Sequence, residues 1–228
     1  MKRTITLSLA LIGVLFFTSC KREESISIDQ NRIYSEYIYS YNASLNKSTV
    51  TARFRVDHNN GKKIELSYPS RVSFNGSALA WRNVLGAYEA SQFGNSVGSG
   101  FEYYDIDGNV FSNSIQIIPS SEIPFGLTNI SQSGNFFLPW TGEPLQMGEE
   151  IKVTISGGDQ TTSRSWTLTN IGASHFILDE NRLRDLVPGA AQIRIERTRS
   201  TSLEQSNLAG GRITSKYLSR KINIQITA

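Results

Sequence analysis

Val50-Thr51-Ala52-Arg53-Phe54-Arg55-Val56-Asp57 is a run of period two. In an extended chain successive side chains point to opposite faces, so Val50, Ala52, Phe54 and Val56 share one face, and Thr51, Arg53, Arg55 and Asp57 the other. That is a strand covering a core on one side and meeting water on the other. His58-Asn59-Asn60-Gly61 then breaks the run, and Ile64, Leu66 and Tyr68 resume it. Asn-Gly is the preferred tight-turn dipeptide, because both residues tolerate the left-handed backbone that such turns require, so the stretch predicts an antiparallel hairpin.

The same grammar extends outward. Val72-Ser73-Phe74 precedes Asn75-Gly76, and Tyr103 to Asp105, Asp107-Gly108-Asn109 and Val110 to Ile118 make another hairpin. Pro119-Ser120-Ser121-Glu122-Ile123-Pro124 interrupts the strands. Proline cannot donate to a sheet ladder, so this segment predicts a linker and domain boundary. Beyond it Ile151, Val153 and Ile155 alternate with Glu150, Lys152 and Thr154 and stop at Gly157-Gly158. Trp166 and Leu168, Ile193 and Ile195, and Ile222, Ile224 and Ile226 alternate in turn. One segment reads as helix: Asp179 can cap a turn, Leu183, Leu186 and Val187 fall three and four apart, and Pro188-Gly189 ends it. The expectation is an all-β chain of two tandem antiparallel β-sandwich domains, Ig-like or transthyretin-like, at residues 32–119 and 120–228.

The first residues follow another logic. Lys2 and Arg3 precede Ile5 to Phe17, which carries no charge, and Thr18-Ser19-Cys20 places small residues before a cysteine. The apolar run is shorter than the roughly 20 residues a spanning helix needs, so residues 1–19 read as a cleaved signal peptide. Phe17-Thr18-Ser19-Cys20 resembles the lipobox of bacterial lipoproteins in the looser form found in Bacteroidota. The resemblance implies tri-acylation of Cys20 and a membrane anchor, each buried methylene adding about 0.8 kcal/mol. Lys21 stands where aspartate marks inner-membrane retention, which implies the outer membrane. Lys21-Arg22-Glu23-Glu24 resembles the acid-containing signals that send such lipoproteins to the cell surface, although a solvated spacer has the same composition. Residues 20–31 are expected to be the lipidated cysteine and a polar tether. Taken whole, the chain resembles the β-sandwich lipoproteins of Bacteroidota outer membranes.

Composition narrows the function. Cys20 is the single cysteine, so no intramolecular disulfide and no thiol catalysis are expected. Removing residues 1–19 leaves 209 residues and takes the formal charge from +3 to +1, too little to favour nucleic acid, which requires a concentrated basic face. The two histidines, His58 in a turn and His175 in Ala173-Ser174-His175-Phe176-Ile177, lie in no recognisable catalytic setting. No cofactor is implied. Asp105, Asp107 and Asn109 alternate oxygens as a calcium loop does, but the distal acidic ligand is missing and a plain Asp-Gly turn accounts for them. Glu143, Glu149 and Glu150 offer carboxylates with no spacing that selects a pair.

Aromatic placement gives the candidate contact residues. Tyr37, Tyr39 and Tyr41 share one face of a strand, where rings either stack on sugars or pack a core. Trp166 alternates like a core residue, Trp81 carries the same ambiguity as the tyrosines, and Trp140, in Leu138-Pro139-Trp140-Thr141-Gly142, is expected to be an exposed loop residue and the leading contact for a ligand. The C-terminal Arg194, Arg197, Arg199, Arg212, Lys216, Arg220 and Lys221 are expected on the solvent face, either as a solubilising edge or as a site for an acidic glycan or lipopolysaccharide. The sequence thus predicts a non-enzymatic, membrane-anchored binding or adhesion module for a glycan or an envelope protein. A fimbrial or secretion component, and last an envelope hydrolase, are the alternatives.

Overall fold

The computed structural model describes residues 22–95, 99–157 and 162–228. The expected signal peptide, residues 1–19, and Cys20 lie outside the described residues. The first half of the chain forms β1 (Glu23–Glu24), β2 (Ile33–Asn42), β3 (Lys47–Val56), β4 (Lys63–Glu65), β5 (Arg71–Phe74), β6 (Ser77–Ala78), β7 (Ala80–Arg82), β8 (Ala87–Phe93), β9 (Ser99–Tyr104) and β10 (Val110–Ile115). The second forms β11 (Ser121–Glu122), β12 (Asn129–Ser131), β13 (Phe136–Pro139), β14 (Thr141–Gly142), β15 (Glu149–Gly157), β16 (Ser163–Leu168) and β17 (His175–Leu178), then helix α1 (Glu180–Arg184), then β18 (Gly189–Ser202), β19 (Gly211–Leu218) and β20 (Ile222–Thr227). The protein is all-β, as the alternation predicts.

The deciding stretch is β3. Val50, Ala52 and Phe54 are buried, and the hairpin to β4 sets Phe54 opposite Ile64. β4 ends at Glu65, so the predicted continuation through Tyr68 does not form; Tyr68 precedes Pro69 and is exposed. Asn75 and Gly76, at φ 51° and 75°, make the predicted tight turn between β5 and β6. β5, β6, β9 and β10 form a four-stranded sheet facing β2 and β3. Between the two layers the Tyr37 ring stacks on Phe101 at 4.6 Å and Phe54 meets Tyr103 at 4.6 Å. In the second half Ile151, Val153 and Ile155 of β15 and Ile193 and Ile195 of β18 bury against Leu138 of β13 and Phe176 and Leu178 of β17. Both halves therefore pack sheet on sheet, each around its own apolar cluster.

One strand pair fuses their outer layers. β19 runs antiparallel to β18 and parallel to β2, from Gly211 opposite Ser35 to Leu218 opposite Asn42. The result is one twelve-stranded sheet running β4-β3-β2-β19-β18-β15-β16. Parity is kept across the joint: Ile213 of β19 lies opposite Tyr37 and is buried in the first cluster. Both clusters thus lie on one side of this sheet, and its other side is a single outward face.

Two segments read as connections are held by the fold. Residues 22–31, expected to be part of a polar tether, dock on the sheet edge: β1 pairs in parallel with β4, Ser25 is buried, and its Oγ accepts from Ser67 N at 2.8 Å. The backbone donors and acceptors of a short polar segment find partners there that composition does not reveal. In the expected linker 119–124, Ser121 and Ile123 are buried and β11 pairs with β14. The helix starts where predicted, with Asp179 Oδ1 accepting from Arg182 N at 3.0 Å as the N-cap, but it ends at Arg184 and leaves Val187 outside it, 49% exposed.

Arg197 is the main correction to the charge reading. It has the parity of Ile193 and Ile195, so its side chain enters the core and is fully buried rather than solvated. There it pairs with Glu149, also fully buried, through Nε at 3.0 Å and through Nη2. Nη1 donates to Ser121 Oγ at 3.1 Å and Glu143 O at 2.9 Å, and Nη2 to Pro144 O at 2.9 Å. Glu149 also accepts from Arg199 Nη2 at 2.8 Å and Gln146 N at 2.8 Å. Every arm of the guanidinium is used, as a buried charge requires.

Candidate ligand-binding face

The aromatic candidates are consumed by packing. Tyr37 and Tyr39 are buried, Tyr39 stacking on Phe74 at 6.2 Å, and half-buried Tyr41 lies 5.7 Å from Tyr217. Their strand face is the inner one, so neither Tyr37 nor Tyr39 leaves a ring for a sugar. Trp140 is only 6% exposed, lies 5.3 Å from Phe176 and donates Nε1–H to Glu143 O at 3.2 Å. The expectation of an exposed contact residue fails because β13 carries Leu138 into the core and Trp140 follows it at the same parity. Trp166 is buried, as its alternation predicts, and donates to Asp179 Oδ2 at 2.8 Å. Trp81 packs on Tyr88 at 5.1 Å.

The other chemical candidates are also committed. Asp105 is buried and spends both oxygens on Asn109, accepting from its N at 2.8 Å and Nδ2 at 2.9 Å; this is a closed turn, not converging ligands. Among the described residues no group of three metal-ligating side chains converges. His58 Nδ1 accepts from Asn60 N at 3.2 Å, and His175 packs on Phe137 at 4.4 Å. Glu143 accepts from Gln146 Nε2 at 2.8 Å, and Glu150 is exposed.

What remains is the outward face. The C-terminal cations divide by parity and register. Arg197 is in the core, Arg199 joins Glu149, and Arg212 pairs with Glu36, which also accepts from Arg53 Nη1 at 3.1 Å. Burial pushes the Glu36 carboxyl up, but the hydrogen bonds and charges of Arg212 and Arg53 together outweigh it and hold the group below the usual carboxylate range. Arg194, Lys216 and Lys221 stay near one another, and register adds Lys152, which sequence reading did not single out. Lys152 lies opposite Glu196, Thr154 opposite Arg194 and Ser156 opposite Gln192.

Lys152, Thr154, Ser156, Gln192, Arg194 and Glu196 line a cavity of about 250 Å³ on the outer face of β15 and β18, with Leu218 and Lys221 also in its lining. Glu196 stands between Lys152 at 3.9 Å and Lys216 at 3.6 Å. Among the described residues Arg194 has no such partner: its Nε and Nη2 are shielded from solvent and have no acceptor there. Arg55 and Arg199 each leave only Nε in that state. Burial pulls the Arg194 guanidinium below its ordinary range, while Glu196 and Glu122 pull it back. It remains a cation at any physiological pH, with Glu196 in the same groove but no direct ion pair among the described residues. Hydroxyl and amide groups from Thr154, Ser156 and Gln192 surround it. Chemically, the groove offers an oxyanion the positive charge of Arg194, Lys152 and Lys221, with Glu196 and neutral hydrogen-bonding groups beside them.

No protein-family model matches the chain. No curated protein matches it either. Among solved structures, the FN1–FN3 domains of chicken CNTN1 align at 12% identity and TM-score 0.29, over 84% of this chain and 66% of that one. A 1.5-MDa bacterial ice-binding adhesin aligns at 10% identity and TM-score 0.26, over 88% and 67%. A tetra-tandem repeat from the extending region of a large adhesion protein aligns at 10% identity and TM-score 0.24, over 84% and 49%.

Proposed function

We propose that this chain is a lipid-anchored, non-enzymatic binding module of a Bacteroidota-type outer membrane, and that the outward face of β15 and β18 takes an acidic glycan. In this reading Cys20 carries the acyl chains, and residues 32–119 and 120–228 are tandem sandwiches sharing one outer sheet. The observation that carries it is Arg194, with two donors unanswered in a groove lined by Lys152 and Lys221. Buried donors without acceptors are costly, and a carboxylate or sulfate on a sugar ring supplies the acceptor in the geometry the fork prefers. The surrounding hydroxyls and amide suit ring hydroxyl groups. Histidines and carboxylates already engaged in turns, stacking and ion pairs favour binding over catalysis.

The test is binding of the full-length chain, in neutral detergent, to polygalacturonate, dextran sulfate and uncharged dextran. Arg194→Gln is expected to weaken binding to an acidic polymer about tenfold, about 1.4 kcal/mol, while Lys47→Gln, a cation of the first half, leaves it unchanged. Equal loss in both variants would mean diffuse charge attraction and would overturn the site. Binding to uncharged dextran alone, or to none of the polymers, would overturn the acidic-glycan reading.

A further inference from the structure

The other unexplained surface lies where the chain enters the fold. Ile26, Tyr68, Val84 and Leu85 are exposed at 64%, 93%, 96% and 44%. They come from separate segments that meet around residues 22–26. Ile26 N donates to Ser67 Oγ at 3.3 Å, placing Tyr68 beside it. Arg22 Nη1 donates to Asn83 Oδ1 at 3.0 Å, placing Val84 alongside, and Lys63 Nζ donates to Leu85 O at 3.1 Å. Three aliphatic side chains and a tyrosine gathered at one end of a sheet form an apolar patch that a water-exposed body has no reason to keep.

We propose that this patch is a foot that rests in the lipid interface of the membrane holding the anchor. The inference rests on the acylation of Cys20 put forward above. Because residues 22–26 are docked rather than free, only Lys21 separates Arg22 from Cys20, and the two residue steps between them span at most about 7 Å. A tether that short brings the β1–β4 edge to the headgroups. Tyrosine has an apolar body and a polar tip, the combination favoured at that depth, and the aliphatic side chains suit the acyl boundary. Lys63, which reaches Leu85 O, borders the patch as a cation that can meet anionic headgroups, whereas Lys62 is paired with Glu23 at 2.6 Å. The acidic-glycan groove lies at the other end of β2, whose ten residues extend about 30 Å, so the foot and the groove do not compete.

The test uses the full chain, isolated from membranes and reconstituted into vesicles of phosphatidylethanolamine and phosphatidylglycerol. Acylation consumes the single cysteine, so Val84→Cys, or Ile177→Cys in the second half as control, accepts one environment-sensitive dye. The label at position 84 is expected to shift to the blue and lose about half its intensity to brominated lipid, as a probe at interfacial depth does, while the label at 177 is unaffected. Mass measurement of the N-terminal peptide runs alongside. Acylated Cys20 with both labels behaving alike would overturn the foot alone. Cys20 without acyl chains would overturn the anchor and the foot with it.

Discussion

Arg197→Met should be among the most damaging substitutions in this protein, although residue type alone would place Arg197 on the surface. The change removes every donor of a fully buried guanidinium. Glu149 keeps Arg199 and Gln146 N but loses its closest cation, while Ser121 Oγ and Pro144 O lose their donors. Breaking a buried pair by deleting one member costs about 3–5 kcal/mol, because the remaining charge stays desolvated. At about 2–4 °C per kcal/mol for a chain of this size, the midpoint of thermal unfolding should fall by about 6–20 °C. Tryptophan fluorescence reads the loss directly: Trp140 and Trp166 sit in the same cluster, and Trp140 Nε1–H shares the Glu143 carbonyl with Arg197 Nη1. The double variant Arg197→Met/Glu149→Met, which removes both charges, should recover part of the loss and fall short of the sum of the single changes by up to about 3 kcal/mol. An Arg197→Met protein within about 1 kcal/mol of wild type, or a double variant equal to the sum, would refute the claim that this pair is desolvated and coupled.

Two further outcomes follow from the sheet. The Glu36 carboxyl is held below its ordinary range by Arg212 and Arg53, so its contribution is fully present above that range and is lost as pH falls through the depressed folded-state value; Glu36→Gln should flatten the acid limb of a plot of urea midpoint against pH. Gly211→Ala and Gly76→Ala should separate close approach from backbone preference. A Cβ at Gly211 would lie 2.2 Å from Ser35 O at the β19–β2 joint, whereas one at Gly76 meets nothing within 4 Å and suffers only from φ 75°. Urea denaturation should show about 1 kcal/mol lost for Gly76→Ala and more for Gly211→Ala; the reverse order would mean that the joint is loose.

How much was legible depended on whether the signal was local. Alternation is a property of neighbouring residues, so the faces of β3, β15 and β20, the Asn75-Gly76 turn and the Asp179 cap could all be read without knowing what they pack against. Arg197 was legible in principle, since it continues the register of Ile193 and Ile195, but its charge suggested water, and the carboxylate that makes burial tolerable lies on another strand. Trp140 was misread for a related reason: Pro139 and the following Thr141-Gly142 suggest a loop, while the core that claims the ring is assembled from distant segments. The groove was half visible, its C-terminal cations evident in the sequence and their sorting into core, ion pair and cavity hidden.

The sequence by itself determined that the chain is built of strands, which side of many of them is apolar and where several tight turns fall, because side-chain direction and turn propensity are settled within a few bonds. Only the tertiary structure decided that β19 joins β2, whose Glu36 pairs with Arg212 across 176 positions, and so made one outward face from two halves. It also decided that residues 22–31 and 119–124 are docked, and that Arg194 lines a groove with two buried donors that find no acceptor among the described residues. The physical reason is that strand pairing offers the same backbone hydrogen bonds to many partners. Which edge meets which is chosen by burial summed over the whole chain, not by the residues of either strand.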